Sequence, residues 1–244
     1  MLTLSACSGN SKNEAIQLYT KVNEAANNAK SCEADMTMDM SMDALGETMS
    51  IKMSGNTKQV IRSQTDIDMY MDMNMDMFGQ SANVSYFYKE GFIYMDVMGM
   101  KIKTPTGLEE AVAQAGNLNL DIKEDIVKKS EVKDEGENKV LSFELDAEKT
   151  SKALLDAMGA MQQSLDALGD TEIKFSNVQY TAVVDKDENL VSEIMIADMT
   201  MKVDGQEINA KYNITVENIK YNTVEAIDFP ADLDTYSEVQ VPAA

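Results

Sequence analysis

Between residues 67 and 77 the chain reads Ile-Asp-Met-Tyr-Met-Asp-Met-Asn-Met-Asp-Met, a thioether alternating with a polar side chain. Two metal chemistries could use such a run. Thioethers are soft donors that suit copper(I) or silver(I), and Met69, Met71 and Met73 would share one face of an extended strand. Capture segments of that kind are usually exposed and often carry His, whereas this chain has no His. Asp66, Asp68, Asp72 and Asp76 offer hard oxygens, but their spacing lacks the sixth-position Gly and twelfth-position Glu of a calcium loop. Carboxylates two residues apart on a strand also lie about 7 Å apart, too far for one ion without further ligands. A solvated outer face explains the Asp stripe better. For the Met stripe two readings stay open. One is ordinary core packing, and the other is a deformable apolar groove whose unbranched side chains adapt to a variable guest.

Other chemistries are thinner. Without His there is no Ser-His-Asp or Cys-His set and no imidazole metal site. The 42 acidic residues contain carboxylate pairs by number, but nothing singles out a pair for glycoside hydrolysis, and there is no Trp to carry a sugar. No glycine-rich phosphate loop is present. The expectation is a protein that is not an enzyme, with no cofactor and no resident metal. A formal net charge of −21 excludes nucleic acid as a partner and disfavours flat adsorption on anionic headgroups.

Cys7 is the one residue with an assignable modification. Leu4-Ser5-Ala6-Cys7 matches the lipobox, with small residues that fit a signal peptidase cleft and a thiol that takes a diacylglycerol. Residues 1–6 read as the remnant of a signal peptide, too short to work alone, so a start called too late or a truncated leader is expected. Residues 7–12 read as lipidated Cys and flexible tether, 13–236 as one domain and 237–244 as a polar tail. Cys32 reads as a small buried hydrophobe, or as a disulfide partner if Cys7 carries no lipid.

The elements that must position these groups follow from periodicity. Residues 11–30 repeat apolar positions at helical spacing, with Ala15, Leu18, Val22 and Ala29 on one stripe. From Ser31 the period is two: Met36 to Met42, Met49 to Met53 and Ile67 to Met77 read as half-buried antiparallel strands. Val84–Tyr88 and Phe92–Val97 flank the turn Lys89-Glu90-Gly91. Residues 105–125 read as a loop with a short helix. Ile126–Lys133 and Lys139–Asp146 form the next hairpin. A helix over 147–168, capped by Asp146, carries Leu154, Met158, Met161, Leu165 and Leu168. Ile173–Asp185, Leu190–Val203 and Ile208 to about Lys220 are long strands, the last two joined at Asp204-Gly205. Asp228-Phe229-Pro230 is expected to stop the sheet. The fold class is α+β: a single curved antiparallel sheet, or half-open barrel, with the N-terminal and mid-chain helices on its concave face.

The lipobox, the Ala-rich helix, the Met/Asp strands, the mid-chain helix and Phe229-Pro230 with its acidic surroundings resemble a family of Gram-positive cell-envelope lipoproteins of unassigned function. That family is similar in fold to the Lol-type carriers and the mycobacterial lipid-carrier lipoproteins. The resemblance implies an apolar cavity for acyl chains and an extracytoplasmic position at the outer face of the membrane. It carries over Cys7 and no catalytic residue. Met69, Met71, Met73, Met75, Met195, Met199 and Met201, with Leu154, Met158 and Met161 above them, are the expected groove residues. The expected partners are the membrane, through Cys7, and a lipid or other apolar ligand, with the protein a monomer. The alternative is an interaction lipoprotein with a filled core that acts through its acidic face.

Overall fold

The computed structural model describes residues 8–239 apart from 45–46, 64, 78, 109, 112–119, 159–170 and 204–205. Its centre is one curved, unclosed sheet of twelve strands. In chain order these are β1 (Ser31–Ala44), β2 (Glu47–Ser63), β3 (Asp66–Met77), β4 (Gln80–Lys89), β5 (Phe92–Val97), β6 (Met100–Pro105), β7 (Val127–Glu135), β8 (Asn138–Leu145), β9 (Thr171–Val184), β10 (Leu190–Val203), β11 (Gln206–Tyr221) and β12 (Ser237–Glu238). Their order across the sheet is β12-β6-β5-β4-β3-β2-β1-β11-β10-β9-β8-β7. Two meanders are thus joined where β11 returns to pair with β1, and only the β12–β6 pair is parallel.

Because paired residues of antiparallel strands point the same way, the register carries side-chain alternation across the whole sheet. One row runs Ala82, Met75, Met53, Met38, Ile214, Met195, Tyr180, Phe143. The next runs Val97, Val84, Met73, Gly55, Met36, Val216, Glu193, Ala182, Leu141. Two strand-lengths of alternating sequence have become one apolar face, in which Glu193 is the only acidic side chain of these two rows. Gly55 sits where the backbone of β3 leans in: a Cβ there would meet the Asp72 carbonyl oxygen at 1.9 Å. A side chain at this position would force the strands apart. Register shifts at Glu33/Asp35 and Ile196/Asp198 oppose Asn218 and Asn177, whose φ values of 54° and 51° suit Asn better than most residues.

Helix α1 (Ser8–Asn27) and helix α2 (Ala147–Met158) pack into the larger core cluster, through Tyr19, Val22 and Ala15 from α1 and Leu154 from α2. Tyr19 meets Phe143 and Tyr180 edge-on. Asp146 accepts the backbone N–H groups of Glu148 and Lys149, the cap expected of it. Three expectations change. Helix α1 begins at Ser8, so the stretch expected as a flexible tether is helical up to the residue after Cys7. Met100–Pro105, which sequence periodicity passed over, is strand β6. The sheet does not end at Pro230. A short 3-10 helix (Leu233–Thr235) leads to β12, so Ser237 and Glu238 pair with Ile102 and Lys103 instead of starting a polar tail.

That C-terminal segment lies along the opposite face of β2–β6. Phe229 packs on Phe87 with Lys89 over its ring, Tyr236 meets Tyr94 edge-on, and Asp232 pairs with Lys101. Val60 and Ile227 are buried on this side as well. The polar face is therefore partly covered, and Asp68 departs from the solvated Asp stripe. It is buried and paired with Arg62, and burial raises its carboxyl pKa more than Arg62 lowers it. The other three carboxylates are engaged at the surface: Asp66 by Arg62, Asp72 by Ser85, and Asp76 by Gly79 N–H and Ser81.

Candidate functional site

Among the described residues, the apolar face is filled at both ends and thinly covered between them. At one end β7–β11 and β1 hold the larger cluster, in which Met195, Met199, Met201 and Leu154 are fully buried beside Tyr180, Tyr212 and Ile214. At the other, Met69, Tyr88, Ile93 and Ala111 form a small cluster with Tyr86, Met95 and Leu108 packed against it. Met36 and Met53 pack half-buried against the larger cluster, Met73 is buried, and Met71 and Met75 are half-buried and belong to neither cluster. Beyond them Met77 is 42% exposed. The side chain of Met158, and all of Met161 and Cys7, lie outside the described residues. The expected groove residues of β3 and β10 thus share one face of the sheet but not one environment.

Sequence reasoning missed a buried polar string at the packed end. Glu193 lies on the apolar face of β10 and accepts a hydrogen bond from the Tyr180 hydroxyl of β9. The Tyr180 and Tyr19 hydroxyls are 3.2 Å apart, and Tyr19 donates to the Leu120 carbonyl at 3.0 Å. Among the described residues no Lys or Arg joins this string, and desolvation dominates: the Glu193 carboxyl is pushed up to about 7, against a smaller opposing effect of the Tyr180 bond. Cys32, partly buried at the start of β1, has its thiol pushed up to about 11, first by burial and then by the nearby Glu193 charge. It is an unreactive thiol at neutral pH. The Tyr212 hydroxyl is buried on the same face of β11 with no hydrogen-bond partner among the described residues. A signal existed for Glu193: it is the one charge at an inward position of Leu190–Val203. Its partners, 13 and more residues away, were not readable.

Two hollows lie elsewhere, the first of them reaching the strands at Met36 and Met73. One of about 510 Å³ is on the polar side of β1–β4, lined by Asp35, Asn56, Tyr70 and Asp72 among others. One of about 370 Å³ lies beside α1, between Asn23, Glu24, Asp121 and Ile122. Among the described residues, no three His, Cys, Asp or Glu side chains converge to hold a metal ion. No helix among them is long and apolar enough to cross a membrane.

The fold is similar to that of LprF from Mycobacterium bovis, at TM-score 0.50 and 13% identity over 91% of this chain and 99% of that one. Looser likenesses are to the Mycobacterium tuberculosis lipoprotein LppX, at TM-score 0.45 and 10% identity over 89% of this chain and 100% of that one, and to a DUF1329 family protein from Desulfovibrio piger, at TM-score 0.29 and 10% identity over 88% and 95%. No curated protein matches the sequence. Over residues 14–235, nearly the whole of the described sheet, the sequence matches one family model, and the chain belongs to that family of unknown function, DUF6612.

Proposed function

We propose that this protein is an extracytoplasmic lipoprotein, held at the outer face of a membrane by a lipid on Cys7, that receives a lipid or other apolar ligand on its Met-lined face. The observation that carries the reading is half-buried Met71 and Met75, which lie outside both packed clusters, with half-buried Met36 and Met53 at the margin of the larger one. Four large thioethers left partly uncovered on one face of β1–β3 are a poor core and a good adaptable lining. In this reading α1 and α2 cover the packed end, Met195, Met199 and Met201 form its floor, and Met69 and Met73 close the other side. Met158 and Met161 belong to the cover. The likeness to LprF supports the fold side of the resemblance to mycobacterial lipid carriers. The role is binding and not catalysis. Among the described residues the buried acid of the site is Glu193, and it is hydrogen-bonded to a tyrosine whose own pKa is raised well above the ordinary value, an arrangement that activates no nucleophile there.

Native mass spectrometry of the full chain, purified from bacterial membranes, tests this. A co-purifying mass of several hundred daltons, released by organic solvent and identified as lipid, is the expected result. A bare protein mass, with no uptake of a fluorescent fatty acid, overturns it and shifts the weight to a filled-core interaction module working through its acidic face.

A further inference from the structure

Hairpins β4–β5 and β5–β6 close with twin two-residue turns. Lys89 pairs with Phe92 across Glu90-Gly91, and Val97 pairs with Met100 across Met98-Gly99. Both residues of each turn have positive φ, at 51° and 83° in the first and 54° and 86° in the second. This geometry favours Asn-Gly or Asp-Gly, because a short polar side chain tolerates the left-handed region. The first turn places an acid there, and the second places Met98. The second turn is held by Asp96, which accepts the Gly99 N–H at 2.8 Å, and by the Met98 N–H, which donates to the Asn83 carbonyl at 3.3 Å. Neither bond uses a thioether. Met98 is 77% exposed and Met100 65%, the two most exposed large apolar side chains among the described residues. A Cβ on Gly99, between them, would meet nothing within 4 Å. A local preference set aside with no packing gained marks a place where the side chain has another use.

The chemistry of sulfur says what that use is. A thioether in water reduces two-electron oxidants, and access of the oxidant governs its rate. Burial therefore ranks the methionines of the Met face. Met195, Met199 and Met201 are sealed, and Met71 and Met75 are half-buried. Met100 stands at the border of this same face, since its cross-strand row runs through Val97 and Val84 to Met73. Three strand spacings, about 14 Å, separate Met100 from Met73. Cys32 competes poorly, because burial and then the Glu193 charge keep its thiol protonated at neutral pH. A sulfoxide at Met98 or Met100 meets water and disturbs no bond that holds the turn. A sulfoxide at Met71 or Met75 puts a polar group on the apolar lining.

We propose that Met98 and Met100 are a modification site that takes up oxygen from a peroxide ahead of the half-buried thioethers behind it. In each event a sulfur lone pair attacks one peroxide oxygen, the O–O bond breaks and an S–O bond forms. Sulfur is oxidised by two electrons to the sulfoxide. The displaced hydroxide takes the remaining hydroxyl proton and leaves as water, so the peroxide is reduced. The site is renewable, since sulfoxide reductases return both epimers to the thioether. The order of oxidation stands apart from the function proposed above; its benefit to a bound guest rests on that function.

The full-length protein is exposed to hydrogen peroxide at neutral pH and digested, and each methionine-bearing peptide is quantified over time by mass spectrometry. Met98 and Met100 should oxidise about twentyfold faster than Met195 and Met199, and about fivefold faster than Met71 and Met75. The melting temperature should hold when both tip sulfoxides are complete, and methionine sulfoxide reductases A and B should restore both side chains. A Met98→Leu/Met100→Leu variant tests protection. At two molar equivalents of peroxide it should carry about twice as much sulfoxide at Met71 and Met75 as the unaltered chain. Uniform rates, earlier oxidation of Met71 or Met75, unfolding before the tip is oxidised, or a lining yield unmoved by the double substitution overturns the proposal. Uptake of a fluorescent fatty acid should survive oxidation of the tip and fall by about half or more once Met71 and Met75 are oxidised. If the unoxidised protein takes up no fatty acid, the groove reading fails, while the order of oxidation still decides this one.

Discussion

Met195 and Met75 occupy the same cross-strand row and come from strands with the same Met/polar alternation, yet Met195 is fully buried and Met75 is not. Between them burial declines stepwise, through buried Met38 to half-buried Met53. The difference is in what stands above the sheet. Tyr19 of α1 and Leu154 of α2 join the cluster that buries Met195, and Tyr180 and Glu193 flank Met195 within the sheet. Over Met75 the described residues supply little. Alternation in a sequence thus fixes which face a side chain joins, and the covering elements decide whether that face becomes core or binding surface.

Paired truncations break this comparison most directly. Met195→Ala should cost about 4 kcal/mol in a denaturant titration, whereas Met75→Ala should cost about 1. Equal losses would mean that both halves are core and would remove the physical basis for a groove. Gly55→Val attacks the seam between the halves. With the Asp72 carbonyl oxygen 1.9 Å from the Cβ position, it should cost about 3 kcal/mol and force β2 and β3 apart beside Met73.

Acid–base behaviour sharpens the contrast. The Glu193 carboxyl moves from an ordinary 4.5 up to about 7 on folding, so its neutral form is favoured in the native state. Stability from this group is complete below pH 4.5 and is lost as pH rises through 7, by about 3 kcal/mol in all. The melting temperature should fall between pH 5 and 8, and Glu193→Gln should flatten that slope. On the other face the C-terminal segment contributes less. Phe229→Ala removes one half-buried ring and its cation contact with Lys89, for about 1 kcal/mol, without touching the pH profile.

Much of this fold was legible because burial on one side of a sheet leaves a period of two. The limits of β10, the Lys89-Glu90-Gly91 turn with its two positive φ values, and the Asp146 cap were all available from spacing alone. Strand β6 was not, since Met-Lys-Ile-Lys-Thr-Pro is short and ends in Pro. The strap formed by Phe229 and Tyr236 was hidden because its partners, Phe87 and Tyr94, look like any outward aromatic on a strand. For the site, face membership of the Met residues could be read, and their differing burial could not, because it depends on Tyr19, which is 161 positions from its partner Tyr180.

An open sheet, unlike a closed barrel, keeps two borders where unpaired backbone can recruit another chain. One border here, β6, is blunted by Pro105 and by β12, whose two residues and the following Val239 N–H occupy Ile102 and Lys103. The other, β7, reads Val-Lys-Lys-Ser-Glu-Val-Lys-Asp-Glu, dense with charges that a neighbouring strand would have to bury. An unclosed sheet is in this way protected from pairing with a copy of itself, and edge-to-edge fibre growth is opposed at both borders without closing the sheet into a barrel.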